Sequence, residues 1–406
     1  METMKVYAAI IGGGASGLMC ACVASKKNSD KRIVVIERDN RVGKKIMVSG
    51  NSRCNLTNLD ANIIHYHTSF DSGIKYLLEH FTPSDVLSKF ESIGLSTYAD
   101  SENRVYPLSR QSSAVLSVLR NELRRRGVEE ICDTEVLSIS KCDYGYKLSC
   151  NDKTVFAKKV VIATGGKNNY AQKVVSDTYT VSKSIGHNLT ELSPSLSPVK
   201  VDSKVIKSLK GIRAQGSVTA VVNGKKIKTE SGEIQFGADC LSGICVFNLS
   251  RILNKEKSGE IIVKLLCDYS LEEINAILSK RVELTKNENV QEIFTGLFHK
   301  NIGIALLKES KIDTNINSDK LTKAELTRLA NTINEWHFKT APSGDFTSAQ
   351  VTAGGVKGSE IDPKTFESKI AENVYLCGEA IDVDGDCGGF NLHFAFASGM
   401  LVGEQL

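Results

Sequence analysis

The sequence predicts an α/β protein whose parallel sheet is interrupted by an insert of different composition. A continuous apolar run at residues 6–11 (VYAAII) leads into a cluster of glycines, as expected of a strand buried on both faces of a parallel sheet. A second apolar run at residues 160–162 also ends in glycines. In between, the pattern becomes β-rich and then helical. The expected segments are 1–195 and 343–406 for the first domain, 196–268 for a β-rich insert and 269–342 for a helical insert.

The composition excludes several classes of protein. The 406 residues carry 51 basic and 47 acidic side chains, a balance that gives no indication of nucleic-acid binding. Eleven cysteines, an odd number without a repeating spacing, fit a reducing compartment. No run of 18 apolar residues is present, and glycines interrupt the stretch that could resemble a signal sequence. We expect a cytoplasmic protein with no nucleic-acid or membrane partner, and its oligomeric state is not indicated.

The first glycine cluster has the pattern G-x-G-x-x-G between a strand and a helix. Gly12 permits a tight turn, Gly14 lets the backbone approach a diphosphate, and Gly17 lets helix and strand pack closely. The helix N-terminus offers N–H groups to the phosphates. A second strand ends at Glu37, twenty residues after Gly17, where a carboxylate can bind a ribose diol. The sequence therefore predicts a dinucleotide-binding βαβ unit, and either NAD or FAD fits it.

Two further regions are suited to a long cofactor. Residues 41–58 are rich in hydrogen-bond donors, and they follow Glu37 directly. The last sixty residues turn glycine-rich again, with a strand, an acidic loop and an apolar helix that begins after Gly388-Gly389. The N-terminus of such a helix would stabilise negative charge on a reduced flavin.

Five stretches together resemble a bacterial family of FAD-binding flavoproteins that includes aminoacetone oxidase-family enzymes and a flavin reductase of bile-acid metabolism. They are residues 11–18 (IGGGASGL), 43–58 (GKKIMVSGNSRCNLTN), 163–166 (ATGG), 349–356 (AQVTAGGV) and 378–399 (GEAIDVDGDCGGFNLHFAFASG). The string S-G-x-x-R-C-N-x-T-N at 49–58 is much more specific than a glycine fingerprint. The resemblance implies a Rossmann-like FAD-binding domain interrupted by a β-barrel-like and a helical insert.

The resemblance also implies which residues bind FAD. These are Gly12, Gly14, Ala15, Ser16, Gly17, Glu37, Arg38, Lys45, Ser49, Gly50, Arg53, Asn55, Thr57, Val136, Ala163, Thr164, Gly165, Gly378, Glu379, Gly388, Gly389, Phe390 and Asn391. In this set Val136 is the backbone contact to adenine, and Gly378 with Glu379 contacts the ribityl chain. Asn51-Ser52 departs from the family, whose members carry more glycine there.

We expect an FAD-dependent oxidoreductase that moves a hydride between a small organic substrate and flavin N5. Because no second G-x-G-x-x-G follows a strand, NADH or NADPH is expected only as a transient electron donor of a reductase. The alternatives are a flavin amine oxidase that uses oxygen, a plain NAD-dependent dehydrogenase and an RNA-binding flavoprotein.

No catalytic acid or base and no metal site is predicted. His65 and His67 are expected in a solvated loop, because no carboxylate or cysteine lies at ligand spacing. His187 and His393 are expected to be structural. Cys240 and Cys245 are expected to be buried as small apolar groups rather than to form a redox pair.

Overall fold

The computed structural model describes residues 2–169, 174–175, 178–255, 259–341 and 345–406. The chain divides into two compact units, Met1–Ser193 with Gln350–Leu406, and Pro194–Ala349. The expected boundary at 195/196 lies two residues from the first division, whereas the expected boundary at 342/343 falls outside the described residues. Within the described ranges, no helix is both long enough and apolar enough to cross a membrane.

The regular elements are numbered in chain order. The helices are α1 (Ala15–Lys27), α2 (Lys44–Ser52), α3 (Asp71–His80), α4 (Pro83–Ser92), α5 (Ser112–Arg125), α6 (Thr180–Ser184), α7 (Ile244–Leu253), α8 (Leu271–Leu284), α9 (Lys300–Glu309), α10 (Lys323–Asn334) and α11 (Phe390–Gln405). The strands are β1 (Glu2–Ile11), β2 (Ile33–Ile36), β3 (Thr57–Asn58), β4 (Tyr66–Thr68), β5 (Thr97–Ala99), β6 (Arg104–Pro107), β7 (Glu129–Ile131), β8 (Val136–Cys142), β9 (Gly145–Cys150), β10 (Lys153–Ile162), β11 (Asn168–Asn169), β12 (Val174–Val175), β13 (Ser193–Ser195), β14 (Val199–Asp202), β15 (Arg213–Val222), β16 (Lys225–Phe236), β17 (Cys240–Ser242), β18 (Gly259–Lys264), β19 (Trp336–Thr340), β20 (Val351–Ala353), β21 (Val374–Leu376) and β22 (Val383–Gly385).

The first unit is built on a seven-stranded mixed sheet. Strands β7, β2, β1, β10 and β21 run parallel, and the antiparallel strands β9 and β8 extend the sheet from β10. Strand β10 joins the two regions because its first half pairs with β9 and its last three residues pair with β21. The last residues of β1, β2, β10 and β21 are buried, which matches their continuous apolar sequence. The carboxyl ends of these parallel strands therefore meet at one edge.

Helices α1 and α11 pack closely against each other. A β-carbon on Gly399 would clash with the Ser16 carbonyl oxygen, and one on Gly403 would lie 2.7 Å from the Val23 β-carbon. Both helices are buried over most of their length, so neither shows a polar face. The C-terminal helix thus completes the domain that the N-terminal helix begins.

The second unit contains a closed antiparallel barrel with the strand order β14-β17-β16-β15-β18-β19. The hairpin between β15 and β16 turns at Asn223 and Gly224, which both have positive φ, the conformation that an Asn-Gly pair favours. Helix α10 begins with a capping box formed by Thr322 and Glu325. The barrel and helices α7 to α10 share one hydrophobic cluster that includes Trp336. This confirms a β-barrel and helical insert within a Rossmann-like domain.

The boundary between β-rich and helical segments differs from the prediction. Helix α7 lies inside the β-rich part, and strand β19 lies inside the part predicted to be helical. The helical spacing of α10 continues to Trp336, but α10 ends at Asn334 and Trp336 pairs with Val263 of β18. Burial alternates along β19, which places Trp336 and Phe338 in the core.

Candidate cofactor-binding site

The predicted glycine turn lies at the edge where the parallel strands end. A β-carbon on Gly12, whose φ is +108°, would clash with the Ala163 carbonyl oxygen, and one on Gly17 would clash with the Gly12 carbonyl oxygen. A β-carbon on Gly14 would meet no other atom within 4 Å. Gly12 and Gly17 are thus required by packing, whereas Gly14 faces open space. No side chain caps α1 there, so its first N–H groups are available to an anion.

Glu37 is bound to this turn at the end of β2. Its Oε2 accepts the Gly13 N–H at 2.8 Å, and its Oε1 accepts the Asp39 N–H at 3.0 Å. Burial raises the pKa of Glu37, although both backbone bonds oppose that rise. Each oxygen retains a lone pair that can accept a hydrogen bond from a hydroxyl group. Thr134 donates its N–H to the Glu37 carbonyl oxygen at 3.0 Å, so the segment that leads into Val136 and β8 runs beside the Glu37 backbone.

Three separate segments meet at Glu379, which follows β21. Lys45 Nζ lies 2.6 Å from Glu379 Oε2, and the Thr352 N–H donates to Glu379 Oε1 at 2.7 Å. A β-carbon on Gly166 would clash with Glu379, and one on Gly378 would clash with the Ser16 side chain. The turn after β10, the turn after β21 and the start of α1 are therefore in mutual contact. The fold brings together these segments, which the sequence predicted separately.

The segment after Lys45 has an unusual backbone. Gly50, Asn51, Ser52 and Cys54 all have φ between +54° and +62°. Only glycine adopts this left-handed region without steric cost, which explains why glycine would suit positions 51 and 52. Arg53 is exposed, with its guanidinium 4.9 Å from the centre of the Tyr106 ring. Asn55 and Thr57, which follow, are buried.

The start of α11 packs against these last residues. A β-carbon on Gly389 would lie 2.7 Å from the Thr57 carbonyl carbon and 2.8 Å from Asn55 Oδ1. The side chain of Asn391 exchanges two hydrogen bonds with the Gly385 backbone, both of 2.8 Å. Its amide thus fixes the loop before the helix, and the Phe390 ring is buried. In this segment the backbone of Gly388-Gly389, rather than the Asn391 side chain, is left to contact a cofactor.

Two buried polar atoms in this region fit a ligand. Asn55 Oδ1 and Thr164 Oγ1 have no hydrogen-bond partner among the described residues. Buried polar atoms are nearly always hydrogen-bonded, so two orphans beside predicted contact segments indicate groups that a ligand completes. Thr164 follows β10, and Asn55 faces the start of α11. The open space at Gly14 and these atoms together fit an extended dinucleotide such as FAD.

The histidines divide into two groups. His393 is fully buried, its Nδ1 lies 2.9 Å from Thr57 Oγ1, and burial lowers its pKa to about 4. His187 Nδ1 lies 2.9 Å from Glu360 Oε2, and its side chain is also fully buried. Both therefore have structural contacts, as expected. His65 and His67 differ from the prediction because both contact the Asp386 carboxylate.

The local sequence around His65 and His67 does not indicate this cluster, because Asp386 is more than 300 residues away in the chain. The only local signal is the alternation of aspartates at 382, 384 and 386.

Within the described part of the chain, no three side chains of the metal-binding types come together as a metal site. Cys240 and Cys245 are both free thiols, and burial raises the pKa of each.

Comparisons with known proteins agree with this architecture. The model of the HI0933-like protein Rossmann domain matches residues 6–405. The chain is 32% identical over 399 residues to the 3-dehydro-bile acid delta(4,6)-reductase of Clostridium scindens, which covers 97% of both chains. It is 25% identical over 400 residues to the ribosomal RNA dihydrouridine synthase of Escherichia coli, covering 98% of this chain and 97% of that one.

Among solved structures, a quinol–fumarate reductase with menaquinol superposes with a TM-score of 0.51. It is 15% identical, and the match covers all of this chain and 71% of that one. Such a likeness shows the fold alone. The matches in sequence span nearly the whole length, including both parts of the first unit and the insert. The chain therefore belongs to the HI0933-like FAD-binding Rossmann family and is an oxidoreductase.

Proposed function

We propose that this protein is an NAD(P)H-driven, FAD-dependent reductase that saturates a carbon–carbon double bond conjugated to a carbonyl group in a small organic molecule. The observation that carries the proposal is the 32% identity, over 97% of both chains, to a relative named as a delta(4,6)-reductase of a 3-dehydro bile acid. The more distant relatives are named for making dihydrouridine, which is also the saturation of a ring double bond beside a carbonyl.

The residues at the strand ends have the right chemistry to hold FAD. The N–H groups at the start of α1 and the open space at Gly14 would receive the diphosphate, and Glu37 would receive the adenosine ribose. Lys45, Glu379 and Thr164 would line the middle of the cofactor. The start of α11, with Asn55, would contact the ring system. Bound FAD supplies hydride transfer, and the protein supplies orientation and electrostatics.

The single glycine fingerprint bears on how the proposed nicotinamide donor would bind. A tightly held nicotinamide nucleotide needs its own glycine turn, and the sequence has one only. NADH or NADPH would therefore bind briefly, transfer its electrons and leave. We further propose that the protein acts in the cytoplasm on a small molecule, without a membrane or nucleic-acid partner.

An anaerobic absorption titration tests the proposal. The purified protein should show the absorption bands of flavin, and NADH or NADPH should bleach the flavin band at about 450 nm. A steroid 4,6-dien-3-one should then restore the oxidised spectrum. Flavin that stays oxidised with both nucleotides, but is reduced by an amine, would favour the amine oxidase. A protein that lacks flavin after reconstitution with FAD would contradict the proposal.

Ribosomal RNA is the second candidate substrate. Two relatives that match over 95–98% of each chain are named as ribosomal RNA dihydrouridine synthases. The same reduced protein should then be reoxidised by unmodified ribosomal RNA and not by the steroid. Binding that weakens steeply with salt would accompany this result. The two substrates are thus distinguished in one experiment, with free uridine as the control acceptor.

A further inference from the structure

Two histidines share one aspartate beside the first residue of α11. His65 Nδ1 lies 3.4 Å from Asp386 Oδ2, and His67 Nε2 lies 3.1 Å from Asp386 Oδ1. The Asp386 N–H also donates to the His65 carbonyl oxygen at 2.9 Å. A single carboxylate therefore holds two imidazole rings, one on each oxygen.

The fold fixes this cluster from several sides. Strand β4, which contains His67, pairs antiparallel with β22, which ends one residue before Asp386. The His65 ring stacks on Phe390, with centroids 4.1 Å apart and 13° between the planes. Asn391 binds the Gly385 backbone on both its N–H and its C=O. The three side chains are thus preorganised by backbone pairing, ring stacking and a side-chain clamp.

The cluster extends from water toward the predicted cofactor site. The side chains of His65 and His67 are 27% and 32% exposed, whereas that of Asp386 is 11% exposed. Asp386 lies three residues before Gly389, which directly precedes α11 and whose added β-carbon would lie 2.8 Å from Asn55 Oδ1. Asn55 is 8% exposed, and its Oδ1 has no partner among the described residues. The two partly exposed imidazoles therefore contact a carboxylate that lies three residues along the chain from Gly389, the residue next to Asn55 Oδ1.

We propose that His65, His67 and Asp386 form a proton relay that supplies the proton consumed when the substrate double bond is reduced. This inference rests on the proposed function, because saturating a double bond requires a proton as well as a hydride. One carbon of the double bond receives the hydride that originates from NAD(P)H, and the other receives a proton. The relay provides that proton and regains one from water, so NAD(P)H and one proton are consumed for each double bond.

The other ionisable groups around the cluster are less suited than the histidines to supply this proton. Asp384 lies opposite His67 in the strand pair, and Asp382 directly precedes β22, where it accepts a hydrogen bond from the Ser69 hydroxyl. The other ionisable neighbours are Tyr66 and Cys387. Arg104 and Glu102 act electrostatically on Cys387. Burial raises the pKa of Tyr66 and raises that of Cys387 to about 11, so both stay protonated at neutral pH. Imidazoles, in contrast, can change charge between pH 5 and 8.

The first test needs neither substrate nor turnover. Ring ¹⁵N signals of His65 and His67 are followed against pH in the wild type and in Asp386→Asn. If one carboxylate couples the two rings, both signals should move together in two steps in the wild type and separately in the variant. Independent single-step titration of the two rings in the wild type would overturn the relay.

The second test separates the two halves of the reaction. In Asp386→Asn and in His67→Gln, reduction by NAD(P)H should keep its rate, whereas reoxidation by a steroid 4,6-dien-3-one should slow by about 100-fold. The wild-type rate of reoxidation should depend on pH and be slower in D₂O, and the variants should lose the pH dependence. His80→Gln is the matched control, since His80 also stacks on an aromatic ring, Tyr76, at 4.0 Å.

The outcomes distinguish this inference from the proposed function. Reoxidation at the wild-type rate in both variants would overturn the relay and leave the reductase intact. Failure of NAD(P)H to reduce the wild type, or of any acceptor to reoxidise it, would overturn the proposed function and the relay with it. Because His67 lies on a partly exposed strand, His67→Gln keeps the test decisive if Asp386→Asn does not fold.

Discussion

Lys45 Nζ lies 2.6 Å from Glu379 Oε2, although the two residues are separated by 334 positions in the chain. The pair joins the start of α2 to the end of β21, and the Thr352 N–H holds the other Glu379 oxygen. Both partners are predicted cofactor contacts, so the ion pair holds two polar groups of the predicted site at one place. The local sequence gives no indication of this pairing.

Removing the cation should weaken cofactor binding more than it weakens the fold. In Lys45→Met, Glu379 keeps its charge and its hydrogen bond from the Thr352 N–H but loses the cation beside it, and we expect FAD affinity to fall by about tenfold, or ~1.4 kcal/mol. The Lys45 side chain is 41% exposed, so the loss in the free energy of unfolding should stay within about 1 kcal/mol. Flavin fluorescence during titration of apoprotein measures the affinity.

Lys226→Met is the matched control for that change. Lys226 Nζ lies 2.7 Å from Glu335 Oε1 in the insert, an ion pair of similar length that is remote in sequence from every predicted cofactor contact. We expect its FAD affinity to equal that of the wild type. Equal affinities in all three proteins would show that Lys45 does not take part in the cofactor site.

Gly14 should be a binding residue that folding does not require. Its φ is −83°, and a β-carbon there meets nothing within 4 Å, so Gly14→Ala should fold with unchanged stability. The added methyl group would occupy the space through which a diphosphate approaches the backbone, and FAD affinity should fall at least tenfold. Thermal unfolding of the apoprotein and a flavin titration measure the two effects.

Gly12→Ala provides the contrast. Its φ of +108° and its contact with the Ala163 carbonyl oxygen mean that alanine is strained and has no room. We expect a large loss of folded protein before any effect on the cofactor. If Gly14→Ala instead unfolds like Gly12→Ala, the space at Gly14 is needed by the protein and not by a ligand.

The sequence predicts contacts between consecutive elements better than contacts between distant ones. The turn from Gly12 to Gly17 and the position of Glu37 follow from local pattern, because strand, turn and helix are consecutive in the chain. The Lys45–Glu379 pair and the His65–His67–Asp386 cluster depend on long-range pairing of short strands, which no local period encodes. Trp336 continues the helical spacing of α10 but lies in β19, because pairing with β18 outweighs local propensity.

His393 should make the folded state less stable in mild acid. Burial lowers its pKa to about 4, whereas an unfolded histidine titrates near 6.5. The unfolded state therefore binds more protons between these values, and the free energy of unfolding rises with pH from about 4 to 6.5, by up to ~3 kcal/mol. Above about pH 6.5 His393 is neutral in both states, and the free energy of unfolding no longer changes on its account. Below that pH the free energy of unfolding declines, because the unfolded chain gains a proton that the folded protein does not bind.

Denaturant unfolding at several pH values measures this dependence. His393→Gln should be less stable at pH 7, because the contact with Thr57 is altered, but its stability should change less between pH 5 and 7. His80→Gln, which changes an exposed histidine, should retain the wild-type slope. A slope in His393→Gln equal to that of the wild type would assign the acid sensitivity to other groups.

The left-handed segment after Lys45 predicts a stabilising substitution. Ser52 is exposed and has φ of +62°, a conformation that costs a residue with a β-carbon about 1 kcal/mol. Ser52→Gly removes this cost and adds entropy to the unfolded chain, so we expect a net gain of about 0.5 kcal/mol. Ser88→Gly, at an exposed position inside α4, should instead lose about 0.5 kcal/mol, because glycine is unfavourable in a helix. Chemical denaturation of the two variants beside the wild type decides the matter. Destabilisation by both would mean that Ser52 makes contacts worth more than the backbone strain it carries.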